Sequence, residues 1–335
     1  MINPPRTDTF RAYVVDQVDG KYTGGFRDLT DSDLPPEKVL VDVAYSSLNY
    51  KDGLAVTGKG KIASKFPMVC GIDLAGTVAD SDDPRFKTGD KVVSLGGGQS
   101  EWLWGGYSQR MRVAPERLTK IPAPYTPELA MAIGTAGYTA MIAVMALEHE
   151  GITPDKGEIV VTGAAGGVGS ISIALLAKLG YRVIAATGRA ETHDYLRALG
   201  AADFIGRADL DRPSKPLEKA RWAGAVDTVG SKTLATVLAQ TGQEGAVAAC
   251  GLAGGADLPV TVMPFILRAV RLIGINYLPV SEAKKNDAWA RLARDLDPAK
   301  LASMTLTQPL SKIEDLAETI LKGETRGRTI IDVNA

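Results

Sequence analysis

The chain has 335 residues, of which 45% are hydrophobic and 23% charged, and its formal net charge is −1. That length allows two domains with sizeable cores, and the balanced charge argues against a nucleic-acid partner, which would need a basic field. Two cysteines (Cys70, Cys250) and two histidines (His149, His193) leave no disulfide framework, no Cys₄ zinc lobe and no ligand pair at metal spacing. No apolar run resembles a secretory signal or is long enough to span a bilayer, so a cytoplasmic, membrane-free protein is expected.

From the start to about Pro124 the sequence alternates strands and turns. Segments 38–45, 74–79, 91–95 and 106–113 are rich in Val, Tyr and Leu, and clusters such as Lys87-Thr88-Gly89-Asp90 and Gly96 to Gly98 separate them. The pattern predicts a small, barrel-like β domain. Past the proline-rich stretch 122–127, residues 128–147 are helical in pattern with a break at Gly134 to Gly137. Strands are then expected at 158–162, 182–187, 202–205, 224–229, 245–250 and 271–276, with helices at 168–179, 191–199, 215–221, 231–241 and 263–269. Such alternation predicts a parallel sheet with crossover helices. Two amphipathic helices, 282–296 and 312–322, and a strand at 327–333 close the chain.

The most informative segment is Val160-Val161-Thr162-Gly163-Ala164-Ala165-Gly166-Gly167-Val168-Gly169. A β-branched run enters a glycine-rich turn and a helical pattern follows, which brings bare backbone N–H groups to a helix N-terminus that can hold a phosphate. Gly163 suits the tight turn, Gly166 lets backbone approach a pyrophosphate, and Gly169 lets helix press on strand. Ala165, Gly167 and Val168 belong to the same cradle. The next strand ends in Thr187-Gly188-Arg189. An acidic residue there would accept a bond from a ribose 2′-OH, whereas an arginine favours a 2′-phosphate. The dinucleotide expected is therefore NADPH.

Further segments give the chain a family likeness. Gly71-Ile72-Asp73-Leu74-Ala75-Gly76 matches the Gly-His-Glu region of zinc-dependent medium-chain dehydrogenases, with Ile72, which cannot ligate a metal, at the His position. Ser46-Ser47-Leu48-Asn49-Tyr50-Lys51-Asp52, Gly58-Lys59-Gly60-Lys61-Ile62, Phe66-Pro67 through Asp73, and Pro264-Phe265-Ile266-Leu267-Arg268 follow in order. Together they resemble the zinc-free medium-chain dehydrogenase/reductases of the YhdH-type subgroup, which includes NADPH-dependent acryloyl-CoA reductases and quinone oxidoreductases. The resemblance implies an α/β protein: a GroES-like β-barrel catalytic domain, residues 1–126 and 281–335, with an inserted doubly wound Rossmann domain, residues 127–280. It also implies a homodimer paired through the strand near 271–276. The activity implied is metal-free reduction of a short 2-enoyl-CoA, acryloyl-CoA to propionyl-CoA. A quinone or enone oxidoreductase, or a non-catalytic NADPH-binding protein, is the alternative.

Reducing a conjugated C=C needs a hydride, a proton and a donor to the developing enolate oxygen. By the same resemblance Asn49, Tyr50 and Asp52 are the catalytic candidates. Tyr50 is the preferred donor, since a phenol ordinarily stays protonated at neutral pH. Asn49 either donates its amide to substrate or cofactor ribose or closes a local turn. Asp52 orients its neighbours. Thr139, Leu252 and Asn276 are expected to contact the cofactor. The phosphates of a CoA substrate would need cations, and the candidates are Lys61, Lys65, Arg268 and Arg328, with Lys59 and Arg326 behind them.

Overall fold

The computed structural model describes residues 9–276 and 281–335. The chain forms two compact units, Met1–Thr135 with Thr305–Ala335 and Ala136–Met304.

In the first unit β1 (Phe10–Val18) and β2 (Lys21–Leu29) form an antiparallel hairpin. Its Asp19-Gly20 turn has positive φ at both residues, the conformation whose twist suits two strands joined by two residues. After β3 (Val39–Leu48) come α1 (Tyr50–Thr57) and β4 (Met68–Val69). Strands β5 (Asp73–Ser81), β6 (Lys91–Leu95), β7 (Arg110–Val113) and β8 (Thr119–Lys120) follow. β3 pairs antiparallel with β5 and β7, β5 with β6, and β6 with β8. Val39, Val41 and Val43 send alternate side chains of β3 into a core shared with Leu74 and Met111.

Helix α2 (Pro127–His149) is broken at Gly134, whose φ is 52° and ψ −166°. The sequence suggests no run able to span a bilayer. α2 does have the length for it and a mean hydropathy of 1.7, but 72% of that window is buried in the protein, as in a core helix.

The second unit contains β9 (Glu158–Val161), α3 (Gly167–Lys178), β10 (Val183–Thr187), α4 (His193–Leu199), β11 (Asp203–Gly206), α5 (Arg207–Leu210) and β12 (Trp222–Asp227). α6 (Ser231–Gln240), β13 (Thr241–Ala249), α7 (Met263–Arg268) and β14 (Arg271–Gly274) continue it. The strands pair in parallel in the order β11-β10-β9-β12-β13-β14, the doubly wound arrangement. The helix expected at 215–221 does not form. Pro216 removes an amide donor inside that stretch, and Pro213 another just before it. Glu218 N and Arg221 N instead donate to the carbonyls of Ala239 and Gln240, which holds the segment as an extended strap.

α8 (Glu282–Asp295) and α9 (Pro298–Ser303) belong to this second unit, whereas the sequence places 281–335 with the barrel. The reason is visible in their contacts. Arg291 forms a two-pronged bond with Glu148 of α2, at 2.7 and 3.0 Å, and Lys300 Nζ donates to the Leu199 carbonyl at 2.8 Å. The return to the first unit is β15 (Thr305–Pro309), α10 (Ile313–Leu321) and β16 (Arg328–Asp332). β16 pairs antiparallel with β3 and parallel with β15, completing a seven-stranded sheet. α10 packs on α1 at Gly53, where a Cβ would stand only 2.8 Å from Ile320 Cγ2.

Candidate active site

The candidate dinucleotide site lies along the C-terminal edge of the parallel sheet. Gly163 adopts φ 59°, and a side chain there would collide with the Thr228 hydroxyl. A Cβ on Gly169 would stand 2.8 Å from Ala164 Cα, so only glycine lets α3 press on the turn. Gly166 is the N-cap of α3 and carries no side chain to cap it, so first-turn N–H groups are left without a side-chain acceptor, the arrangement that can take an anion. Asp227, at the end of β12, is a residue the sequence reading missed. Its carboxylate accepts from Thr162 Oγ1 at 2.7 Å and Gly230 N at 2.8 Å, and burial pushes its pKa up. Thr162 Oγ1 in turn accepts from Thr228 N, so the ends of β9 and β12 are locked beside the glycine turn.

At the end of β10, Thr187 Oγ1 accepts from Arg189 N at 3.1 Å, and Arg189 is half-buried. A second arginine stands here. A Cβ on Gly188 would lie 3.3 Å from Arg207 Nε, and Arg207 follows Gly206, the register partner of Thr187. The signal for Arg207 is tertiary: nothing in its local sequence joins it to Gly188. Leu252 is exposed in the turn after β13, where Gly255 N donates to its carbonyl. Asn276 lies just beyond β14, whose end is extended by Ile275 N donating to Ala249 O. Thr139 sits in α2 and is 8% exposed.

In the first unit, α1 starts from a buried polar cluster. Asp52 is fully buried. Its Oδ2 accepts from Asn49 N at 2.9 Å and Asn49 Nδ2 at 3.1 Å, and its Oδ1 accepts from Ile72 N at 2.8 Å. Burial, with the Asp73 charge adding to it, raises the Asp52 pKa to about 7. Asp73 accepts from Ser47 Oγ at 2.6 Å, Asn49 Nδ2 at 3.2 Å, Gly96 N at 3.1 Å and both donors of Thr135. Arg328 closes the cluster. Its Nε donates to Ala132 O at 2.9 Å and its Nη1 to Asn49 Oδ1 at 3.2 Å. Gly134 makes this possible, because a Cβ there would meet Arg328 Nη2 at 2.6 Å.

Several expected roles change accordingly. Arg328 is 2% exposed, so it is a structural counter-charge and not a CoA contact. Arg268 is also spent internally, donating to the carbonyls of Ala239, Thr241 and Glu218 and so pinning the 212–221 strap. Asn49 gives its amide to the cluster, which leaves the local-turn alternative and not donation to substrate. Asp52 is an acceptor that orients neighbours. Lys59 pairs with Glu318 at 2.6 Å, while Lys61 and Lys65 are exposed. Tyr50, first residue of α1, is 38% exposed, and its hydroxyl has no hydrogen-bond partner among the described residues. Ile72 is buried at the position where the likeness puts a histidine, with its N–H on Asp52. Among the described residues, no group of three His, Cys, Asp or Glu side chains is arranged to hold a metal.

A doubly wound sheet with a glycine turn between strand and helix, joined to a GroES-like barrel, is the architecture of nicotinamide-dependent dehydrogenase/reductases. Residues 35–123 match the alcohol dehydrogenase GroES-like domain and residues 167–294 the zinc-binding dehydrogenase domain. The chain is 51% identical over 324 residues to the probable acrylyl-CoA reductase AcuI of Escherichia coli (strain K12), covering 97% of this chain and 100% of that one. It is 50% identical over 329 residues to the acrylyl-CoA reductase AcuI of Ruegeria pomeroyi, with the same coverage. The crystal structure of the yhdH oxidoreductase from Salmonella enterica in complex with NADP superposes with a TM-score of 0.94 at 51% identity, covering 96% of this chain and 99% of that one. The chain therefore belongs to the medium-chain dehydrogenase/reductase family, in its YhdH-type subgroup.

Proposed function

We propose that this protein is an NADPH-dependent reductase of the C=C bond of a short 2-enoyl-CoA, converting acryloyl-CoA to propionyl-CoA. The observation that carries this reading is the full-length half-identity to acrylyl-CoA reductases. NADPH, when bound, supplies the hydride for this chemistry. The backbone from Gly163 to Val168 holds its pyrophosphate, and Arg189 with Arg207 holds its 2′-phosphate. Thr187, Gly188, Leu252, Asn276 and Thr139 shape the rest of that site. Tyr50 donates its phenolic hydrogen toward the substrate thioester, where negative charge develops, or delivers the proton to the α-carbon. Its hydroxyl is available because no neighbour in its own unit engages it. Asn49, Asp52, Asp73 and Arg328 hold the start of α1 rigid so that Tyr50 is presented in one position. The protein acts without metal, in the cytoplasm, as a homodimer closed along β14.

Steady-state kinetics with NADPH or NADH against acryloyl-CoA, crotonyl-CoA, free acrylate and a benzoquinone test this reading. Acryloyl-CoA with NADPH is expected to give the highest kcat/KM. Fast benzoquinone turnover with negligible thioester turnover would replace the reading with a quinone oxidoreductase, and no turnover of any acceptor would leave a non-catalytic NADPH-binding protein.

A further inference from the structure

We propose that a cleft in the first unit, lined by Trp102, Trp104, Phe66, Lys65, Arg112 and Arg117, receives the 3′-phosphoadenosine end of the CoA substrate. This rests on the acyl-CoA reading above. The cleft has a volume of about 340 Å³ and combines aromatic faces with three cations against one carboxylate, that of Glu37. A purine with phosphates at two ribose positions asks for that mixture: flat apolar surface for the base, charge-assisted donors for the phosphates.

The cleft is built, not incidental. Gly96, Gly97 and Gly98 all have positive φ, at 51, 72 and 94°. The indole of Trp102 lies in the space a Gly98 side chain would take, and a Cβ on Gly97 would stand 2.9 Å from Arg117 Nη1. Glycine at both positions thus lets a tryptophan and an arginine meet one loop. Trp104 is fixed by its indole N–H on Pro67 O at 3.0 Å, and Arg112 by Nη1 on Glu37 O at 3.1 Å. Arg117 is half-buried, and neither it nor Lys65 forms an ion pair among the described residues. Both cations are therefore open to pairing with an anion that enters the cleft.

The cleft also communicates with the candidate catalytic helix. Gly96 N donates to Asp73 of the buried cluster, and Glu101, one residue before Trp102, pairs with Lys51 of α1 at 2.8 Å. Ser64 straps the next segment to the same loop through Glu101 O. Trp102 of the cleft thus follows directly on the residue that ties this loop to α1, and a pantetheine arm leaving the cleft along that side would run towards α1.

The test uses NADPH-saturated protein, so that the dinucleotide site is filled, and adenosine 3′,5′-bisphosphate as probe in isothermal titration calorimetry. The wild type should bind. Lys65→Glu, an exposed change that leaves the fold intact, and Lys65→Glu with Arg117→Ala should weaken binding by about tenfold or more, with NADPH affinity unchanged. In kinetics the same variants should raise KM for acryloyl-CoA and leave kcat, and leave both constants for acryloyl-pantetheine, which lacks the nucleotide. No binding by the wild type, or equal KM losses for the two thioesters, would overturn the assignment. Nucleotide binding that Lys65→Glu abolishes, in a protein that turns over no thioester, would support the cleft and sink the acyl-CoA reductase reading instead.

Discussion

Tyr50 and the two arginines near Gly188 carry the proposals that single substitutions can test. Replacing Tyr50 with Phe keeps the ring and removes the only proton it can give. General-acid groups contribute about 10²-fold or more, so stopped-flow and steady-state rates for Tyr50→Phe should show kcat lowered by about 10² with NADPH affinity intact. Unchanged turnover would take Tyr50 out of the mechanism. At the cofactor, each charge-assisted phosphate bond contributes about 1.5–3 kcal/mol, or about one to two orders of magnitude. Arg189→Glu and Arg207→Glu should each depress kcat/KM with NADPH far more than with NADH. A loss equal for both cofactors in the Arg207 variant would mean that this arginine does not read the 2′-phosphate. Arg189 is legible in the sequence because it follows the second strand directly. Arg207 is not, because its place beside Gly188 comes from the parallel register of β10 and β11.

At the scale of elements, α1 is the piece on which the chemistry depends and the one least visible in the sequence. Its eight residues lie in a stretch of strands and turns, and its first turn is organised by side chains from β3, β5 and β16. Asp52 titrates with a folded pKa of about 7 against an ordinary carboxylate value near 4. The folded state therefore holds this proton longer than the unfolded state, and stability falls as pH rises between those values. Above about 7 the full cost of the buried charge is present; below about 4 it is absent. Asp52→Asn gives up acceptor capacity at every pH, so it melts lower than wild type, but the gap should narrow as pH rises from about 5 to 8. Thermal melts at constant ionic strength measure this, and a gap that widens with pH would reverse the assignment. The helix expected at 215–221 illustrates the opposite error: its charged, apolar spacing looks helical, but Pro216, backbone bonds to the end of α6 and the Arg268 guanidinium make it a strap. The hairpin of β1 and β2 had a readable signal in Asp19-Gly20, which strand composition alone passes over.

For the whole molecule, the exposed edge of the six-stranded sheet is the feature that calls for a partner. Among the described residues β14 pairs only with β13, and the neighbouring α7 exposes Ile266 and Leu267 at 71% and 55%. An apolar patch beside an open strand edge favours pairing with an identical strand. Ile266→Asp should shift the proposed dimer towards monomer by analytical ultracentrifugation, with the melting temperature of the dilute protein changed little. A wild type that sediments as a monomer at all concentrations would remove the dimer from the proposal. The limits of the two units were only partly readable. The change from strands to alternating elements near residue 124 is plain in composition. That α8 and α9 stay with the second unit depends on Arg291 reaching Glu148, which lies 143 residues earlier.

By itself the chain sequence determined what is local: the glycine turn between strand and helix, the arginine after the second strand, the isoleucine where relatives bearing zinc place a histidine, and the alternation that makes a parallel sheet. These are readable because backbone conformation and strand-to-helix order depend on neighbours a few residues apart. Tertiary structure alone decided which polar side chains are available. Arg328, Arg268 and Asn49 look like surface donors in one dimension, yet each is buried or engaged by carbonyls and carboxylates brought from distant strands. Conversely, Arg117, Lys65 and Arg207 acquire their surroundings only when remote segments fold together, because whether a charge is exposed, paired or spent is set by what packs against it.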